Sequence, residues 1–581
     1  MSISRTLPIE TPTDLITYTI LIEGEKIKPE HNVIGIFTSK SVGKIPTARL
    51  ILDDGSIPEE DFELSSTDTF LPGKKIEIQV GYNSEDQPLF KGVIVKHGVR
   101  VKNGKSSQLV LDCKDEAVKM TIGRKNNLFY ESKDSEIIEE IIGTYGLTSE
   151  IEPTTVSHTE MVQYNVSDWD FVMLRADANG YLVMVNDGNV VLSKPDTSTE
   201  PKLGLLYGET IKEFEGEIDA RNQFGAIKSY SWDAASQSVL EMEGTSPGLT
   251  KPGNLNGELS EVMGLESLNL FHGGQIADAE MTAWANGHFL RSDLSPVRGK
   301  VMHEGFSDIE VGDMIELGGL GDRFNGKAFV SGVSHTVSEG DWNTELQFGL
   351  DPDCFTQKVD VSAPAASGII PPIKGLHIGI VTQLSGDPDG EERILVKVPL
   401  INDQEDGIWA RMTHPDAGNN RGLTFWPEVG DEVILGFLND DPRNPIILGS
   451  LYSSSAPPAI AASDENPEKG IITKSEMKIV INDESKSLEI STPSGNLLSL
   501  SEETKGVLIE DQNGNKIEMT ADGVTIESAA DLKLVAAGDL LMEGTNIEGA
   551  ASAEWKCEGG SGAEFASGAI AVIKGSMVQI N

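Results

Sequence analysis

The chain has 581 residues, with 92 acidic against 46 basic side chains and a formal net charge of −46. A nucleic-acid binder must neutralise phosphates, so this balance counts against that class, and it equally disfavours docking on an anionic membrane surface. The length calls for several domains, because single hydrophobic cores stop growing near ~250 to 300 residues.

Cys113, Cys354 and Cys557 lie far apart, which rules out a disulfide framework or a zinc-ribbon spacing and points to maturation in a reducing cytoplasm. The start of the chain carries Arg5 but then Pro8, Glu10, Pro12 and Asp14 with no apolar run, so no secretory signal is expected. No stretch reaches the ~18 apolar residues of a transmembrane helix.

Residues 1–115 alternate apolar and polar positions in Tyr18–Ile22, Thr47–Leu52, Lys75–Val80, Leu89–Val95 and Gln108–Asp112. Turn signals Asp54-Gly55, Pro72-Gly73 and Asn103-Gly104 separate some of them, and the pattern predicts an antiparallel, barrel-like β-domain. Residues 116–200 read as an α/β insertion. Ile137, Ile138, Ile141, Ile142 and Tyr145 share a helix face after the candidate cap Asp134. A second helix opens at Ser167, with Asp170 three residues on, and stops at Gly180.

Residues 201–358 form a second expected β-domain, with a helix around Gln275–Leu290 that buries Met281, Trp284, Ala285 and His288. A linker is expected over 359–374, a five-stranded small barrel of the OB type over 375–452, and a further linker over 453–469.

Residues 470–581 carry apolar pairs two apart: Ile479 and Ile481, Leu488 and Ile490, Leu498 and Leu500, Val507 and Ile509, Ile517 and Met519. Val524 and Ile526, Leu532 and Leu534, and Leu540 and Met542 continue the series, and Gly495, Gly506, Gly514, Gly523, Gly538 and Gly544 stand between pairs where turns need positive φ. Each unit offers too few inward side chains for a core of its own, so units must stack on one another or on other chains. A single-chain β-solenoid and an intertwined three-chain prism both satisfy this. A β-sandwich fits less well, because its strands usually run ~5 to 6 residues.

The string Gly422-Leu-Thr-Phe-Trp-Pro-Glu-Val-Gly-Asp-Glu-Val-Ile-Leu-Gly-Phe437, with Trp409-Ala-Arg411 before it and Ile447–Tyr452 after it, resembles the OB module of VgrG spike proteins. Leu89–Gly92, Ser167–Phe171, Val297–Gly299 and Phe324–His335 resemble the hub region of that family. The resemblance implies a mainly β chain with two tube-like hub barrels, an OB-fold and a C-terminal trimeric β-prism needle. It thereby selects the three-chain prism, with the axis filled by Ile479, Ile481, Leu488, Ile490, Val507, Ile509, Ile517, Met519, Val524, Ile526, Leu532, Leu534, Leu540 and Met542.

It further implies a homotrimeric spike at the tip of a contractile injection machine. That machine would be a type VI secretion system, an extracellular phage-tail-like particle or a phage baseplate, assembled in the cytoplasm and then ejected. Expected partners are a hexameric inner-tube protein, baseplate proteins, a PAAR-type tip, an effector cargo and a target membrane punctured mechanically, with no nucleic acid. The tip would dock on Gly575, Ser576, Met577, Val578, Gln579, Ile580 and Asn581.

No enzyme, cofactor or metal is expected. Asp387-Pro-Asp-Gly-Glu-Glu392 clusters carboxylates but lacks the ligand spacing of a calcium loop, and reads as a solvated turn. There is no His-Glu-x-x-His, no Gly-x-Ser-x-Gly elbow and no Walker loop. Cys557 beside Trp555 reads as core. A peptidoglycan-hydrolysing spike and a trimeric receptor-binding fibre are the alternative functions.

Overall fold

The computed structural model describes residues 15–102, 106–255 and 257–580. The expected turn Asn103-Gly104, the first fourteen residues and Asn581 lie outside these. The chain divides into two units, Met1–Pro371 and Pro372–Asn581.

The first unit is built on a 13-stranded sheet. Its strands include β1 (Ile16–Ile22), β2 (Val33–Ser41), β3 (Thr47–Asp53), β4 (Lys75–Tyr82), β5 (Gln87–Arg100) and β6 (Gln108–Lys114) from the first expected domain. From the second come β7 (Glu213–Ile218), β8 (Val297–Glu304), β9 (Gly326–Ser338) and β10 (Asp341–Phe348). The order is β7-β8-β10-β9-β2-β3-β6-β5-β4-β1, so the antiparallel pairing of β9 with β2 joins the two halves into one sheet.

Each half keeps its own apolar core. Ile36, Leu50, Ile78, Phe90, Leu109, Val337 and Trp342 belong to the first, and Leu203, Val301, Ile315, Val333, Leu346 and Phe348 to the second. Both cores are built from alternate strand positions, and on β9 Val333 of the second core and Val337 of the first lie on the same face.

A third core belongs to the α/β insertion, where helices α1 (Asp134–Gly143) and α2 (Asp168–Ala178) pack Ile138, Ile142, Trp169 and Val172 against short strands. Ser167 caps α2 as expected, its Oγ accepting the Asp170 N–H at 3.1 Å, and Gly180 ends it at φ +68°. Asp134 is not the cap of α1. It sits in the first turn, and its buried carboxylate accepts Arg175 Nε at 2.6 Å and Asn179 Nδ2 at 2.8 Å, because a buried charge needs fixed donors more than a helix end needs that oxygen. Helix α3 (Asp278–Leu294) buries Met281 and Ala285, whereas Trp284 and His288 are only partly covered.

The segment expected to be a free linker is partly anchored. Just after a short helix α4 (Phe355–Lys358), Val361 packs against the insertion core, Arg124 donates to the carbonyls of Val361 and Ser362 at 3.3 and 3.0 Å, and Ala366 is buried. Charged donors outside the segment hold it, which its own composition does not show.

In the second unit, β11 (His377–Gln383), β12 (Ile394–Lys397), β13 (Ile408–Met412), β14 (Glu432–Phe437) and β15 (Pro445–Ser450) close a barrel in the order β11-β12-β13-β15-β14. Its core is Val381, Ile394, Val396, Val398, Ala410, Val433, Leu435 and Ile447. A seven-stranded antiparallel meander follows: β16 (Glu468–Ile472), β17 (Lys478–Asn482), β18 (Ser487–Ser491), β19 (Leu497–Ser501), β20 (Gly506–Glu510), β21 (Lys516–Thr520) and β22 (Gly523–Glu527).

Residues 528–580 contain no strand, and all but Ser528 are exposed. The pairs Leu532 and Leu534, and Leu540 and Met542, therefore stand outside any sheet in the single chain, and Trp555 and Cys557 are exposed rather than core. A strand needs a hydrogen-bonded neighbour, and this stretch has none within its own chain.

Candidate functional site: an uncovered apolar face

The meander from β16 to β22 pairs each strand in register with the next. One row runs Ile471, Ile479, Ile490, Leu498, Ile509, Ile517 and Ile526; a second runs Lys469, Ile481, Leu488, Leu500, Val507, Met519 and Val524. The side-chain period of 2 puts both rows on one face. Thirteen of these fourteen positions are apolar and none of the thirteen is buried.

The opposite face is mostly polar, with Glu489, Ser499, Glu518 and Thr525 in the row that also holds Val480 and Leu508, and with Lys516 between Glu518 and Glu527 at 3.5 and 3.4 Å. Fully burying an aliphatic side chain stabilises by ~1.5–3 kcal/mol, so covering thirteen half-exposed ones is worth on the order of 10 kcal/mol per chain.

Ten of the fourteen residues expected on a trimer axis, Ile479 to Ile526, lie on this face, together with Ile471, Leu498 and Leu500. The structure does not bring Leu532, Leu534, Leu540 and Met542 together with them in the sheet. Gly495, Gly514 and Gly523 take positive φ as expected, but Gly506, Gly538 and Gly544 do not; a Cβ at Gly506 would meet the Met519 carbonyl oxygen at 2.6 Å, so close strand approach is what requires glycine there. Lys486 and Lys505 occupy left-handed turn positions at φ +48° and +53°, which no sequence signal marked.

Of the expected tip residues, Gly575 to Ile580 are exposed and in no strand, with Met577 at 83% and Ile580 at 88% exposure; Asn581 lies outside the described residues. Lys469 is the one charged side chain on the apolar face, at its first strand, and its ammonium pairs with Asp483.

Among the described residues no group of three or more His, Cys, Asp or Glu is placed to hold a metal. The Asp387 loop is organised by Arg393, whose guanidinium holds the Asp387 carboxyl well below the usual carboxylate range; Asp387 also accepts the backbone N–H groups of Asp389, Glu391 and Arg393. Burial pushes the Cys113 thiol up to about 12 and that of Cys354 up to about 11, the opposite of an activated nucleophile. Among the described residues no helix is long and apolar enough to cross a membrane.

Residues 12–339 match the family described as the Alg8 N-terminal domain. Residues 377–452 match the type VI secretion system/phage-baseplate injector OB domain, and residues 487–581 the phage baseplate V C-terminal trimerisation domain. Among curated proteins, the chain is similar to the type VI secretion system spike protein VgrG1b of Pseudomonas aeruginosa, with 22% identity over 435 residues, 68% of this chain and 56% of that protein. It is also similar to VgrG5 of the same organism, with 21% identity over 388 residues, 56% of this chain and 45% of that one. The chain thus spans about half the length of these relatives.

Among solved structures, a 43 kDa tail protein of prophage MuSo2 from Shewanella oneidensis aligns with a TM-score of 0.45 at 10% identity, covering 58% of this chain and 99% of that one. The lidded Francisella PdpA-VgrG complex aligns with a TM-score of 0.40 at 9% identity, covering 88% and 80%. By the match over residues 12–339, more than half of its length, the chain belongs to the Alg8 N-terminal domain family; it also carries phage baseplate V domains and is a homologue of the VgrG spike proteins.

Proposed function

We propose that three copies of this chain form a spike for a contractile injection machine, with residues 15–358 as the hub, the barrel of residues 377–452 as a collar and residues 468–580 as the needle. The observation that carries this reading is the double row of largely uncovered apolar side chains from Ile471 to Ile526, on a sheet whose other face is mostly polar. The match of residues 487–581 to a trimerisation domain supports three as the number of chains.

In this arrangement Leu532, Leu534, Leu540 and Met542 gain strand partners from the neighbouring chains and continue the same axis. The hub seats a hexameric inner tube among baseplate proteins, and the residues from Gly575 onward receive a PAAR-type cap. Any effector travels on that cap or in the tube. Assembly in the cytoplasm precedes ejection, and the needle acts mechanically rather than as an enzyme. Purified protein added to inner-tube subunits should shorten the lag of tube formation, and a variant lacking residues 468–581 should still do so. Unchanged lag with the full chain would contradict the hub assignment.

A further inference from the structure

Across the seam of the 13-stranded sheet, four residues stand in one transverse row. Thr38 on β2 faces His335 on β9, His335 faces Thr344 on β10, and Thr344 faces His303 on β8. All four are buried, at 4%, 6%, 0% and 0% exposure. The adjoining row on one side, Ile36, Val337 and Trp342, belongs to the first core; Val333, Leu346 and Val301 on the other side belong to the second. A polar belt thus separates two apolar cores.

Burial favours the neutral form of both imidazoles, and the hydrogen bonds of the belt set the tautomer of His303. His303 Nδ1 lies 2.6 Å from the Glu304 carbonyl oxygen, so Nδ1 carries the proton; buried Nε2 has no hydrogen-bond partner among the described residues. Thr344 Oγ1 accepts the Phe306 N–H at 3.0 Å, lies 3.0 Å from His335 Nδ1, and has the Phe306 carbonyl oxygen at 3.5 Å for its own hydroxyl proton. A second proton on His303, at Nε2, has no acceptor among the described residues.

The charged groups around the rings add to that cost. Lys40 on β2 acts on His335, and Lys212, ahead of β7, acts on His303. The Glu304 carboxylate on β8 is engaged by Lys212 at 2.7 Å. On the first-core side stand Trp342 of β10, 6.1 Å from the His335 ring, and Tyr82 of β4, which packs on Trp342.

We propose that the Thr38–His335–Thr344–His303 belt is an acid-sensitive latch between the two halves of the hub. With both rings neutral the four strands stay paired; when the rings take up protons on acidification, the β2–β9 seam opens.

Burial lowers His303 to about 4 and His335 to about 3, below the ordinary value near ~6.5. The opened chain therefore binds the extra protons first, and seam stability falls as pH drops below ~6.5, until each folded value is passed. Within that window each pH unit shifts the open-to-closed ratio about tenfold per ring, or about a hundredfold for the pair.

The test is hydrogen exchange of the full chain read by mass spectrometry between pH 6.5 and 5.0, corrected for intrinsic rates. Seam peptides covering residues 33–41 and 326–338 should lose protection steeply, those of residues 478–527 should not, and the double variant His303→Gln, His335→Gln should be flat. In the unmodified protein, exchange at the imidazole carbon should report both rings titrating below ~5. Seam protection that stays constant over this range, or rings that titrate near ~6.5, would overturn the latch.

Discussion

Ile517 stands directly opposite Ile526 across β21 and β22, at the end of a row of aliphatic side chains of which none is buried in the single chain. Ile526 is 53% exposed, more than any earlier member of its row. If three copies close over this row, an Ile526→Asp substitution places three carboxylates at one level in an apolar axis. Each unpaired buried charge costs several kcal/mol, so trimer formation should fail. Thr525→Asp, on the polar face of the same strand, should leave assembly intact. Gel filtration of the two variants reads the difference, and a fully trimeric Ile526→Asp protein would show the inward and outward faces reversed.

The tip gives a second expectation. Met577, Val578 and Ile580 are exposed in a segment with no strand, so their backbone groups are open to strand addition by a partner. Removing Ser576–Asn581 should abolish co-purification of a PAAR-type protein while the oligomer persists. Undiminished capture by the truncated protein would place the docking surface elsewhere.

The approach of α2 to α3 rests on two glycines. A Cβ added to Gly287 would lie 2.9 Å from the Asp177 carbonyl oxygen and 3.0 Å from Gly180 Cα, with backbone on both sides and nothing flexible to yield. Gly287→Ala should therefore destabilise the first unit by about 1–3 kcal/mol, the usual range for overpacking, seen as a lower thermal midpoint. An unchanged midpoint would mean that the helices separate at little cost.

These examples mark what the sequence made legible. Pairs such as Ile479 and Ile481 announce themselves because strand period and inward face are properties of a few neighbouring residues, and the OB barrel follows from five such strands close in sequence. The continuous sheet was not legible, because β2 and β9 pair residues such as Thr38 and His335 that are nearly three hundred positions apart. The same distance hid the belt: a lone histidine in a strand gives no sign that a threonine and a second histidine lie beside it. Leu532 and Leu540 show the converse limit: their apolar spacing matches that of the earlier pairs, yet in the single chain they stand in no sheet.

A buried ion cluster ties α1, α2 and α3. Arg175 donates to Asp134 at 2.6 and 2.8 Å and to Glu280 at 2.8 Å, and His158 Nε2 lies 3.1 Å from Asp134. Burial alone would raise the Asp134 carboxyl, but Arg175, Asn179 and His158 more than offset it and hold the group below its ordinary value. A carboxyl lowered in the folded state contributes stability that is present above ~3.9 and lost as pH falls through the folded value. Arg175→Ala leaves Asp134 buried without its cation and should cost about 3–5 kcal/mol at neutral pH, measured by denaturant titration. A loss under ~1 kcal/mol would show that solvent reaches the site after all.

The central claim is that the apolar face is closed by two further copies of the same chain. Multi-angle light scattering of the purified full-length protein tests it most directly. The expected result is one species at three times the chain mass of 62.5 kDa, unchanged on dilution. A stable species at the mass of a single chain, with the face from Ile471 to Ile526 left open to water, would contradict it.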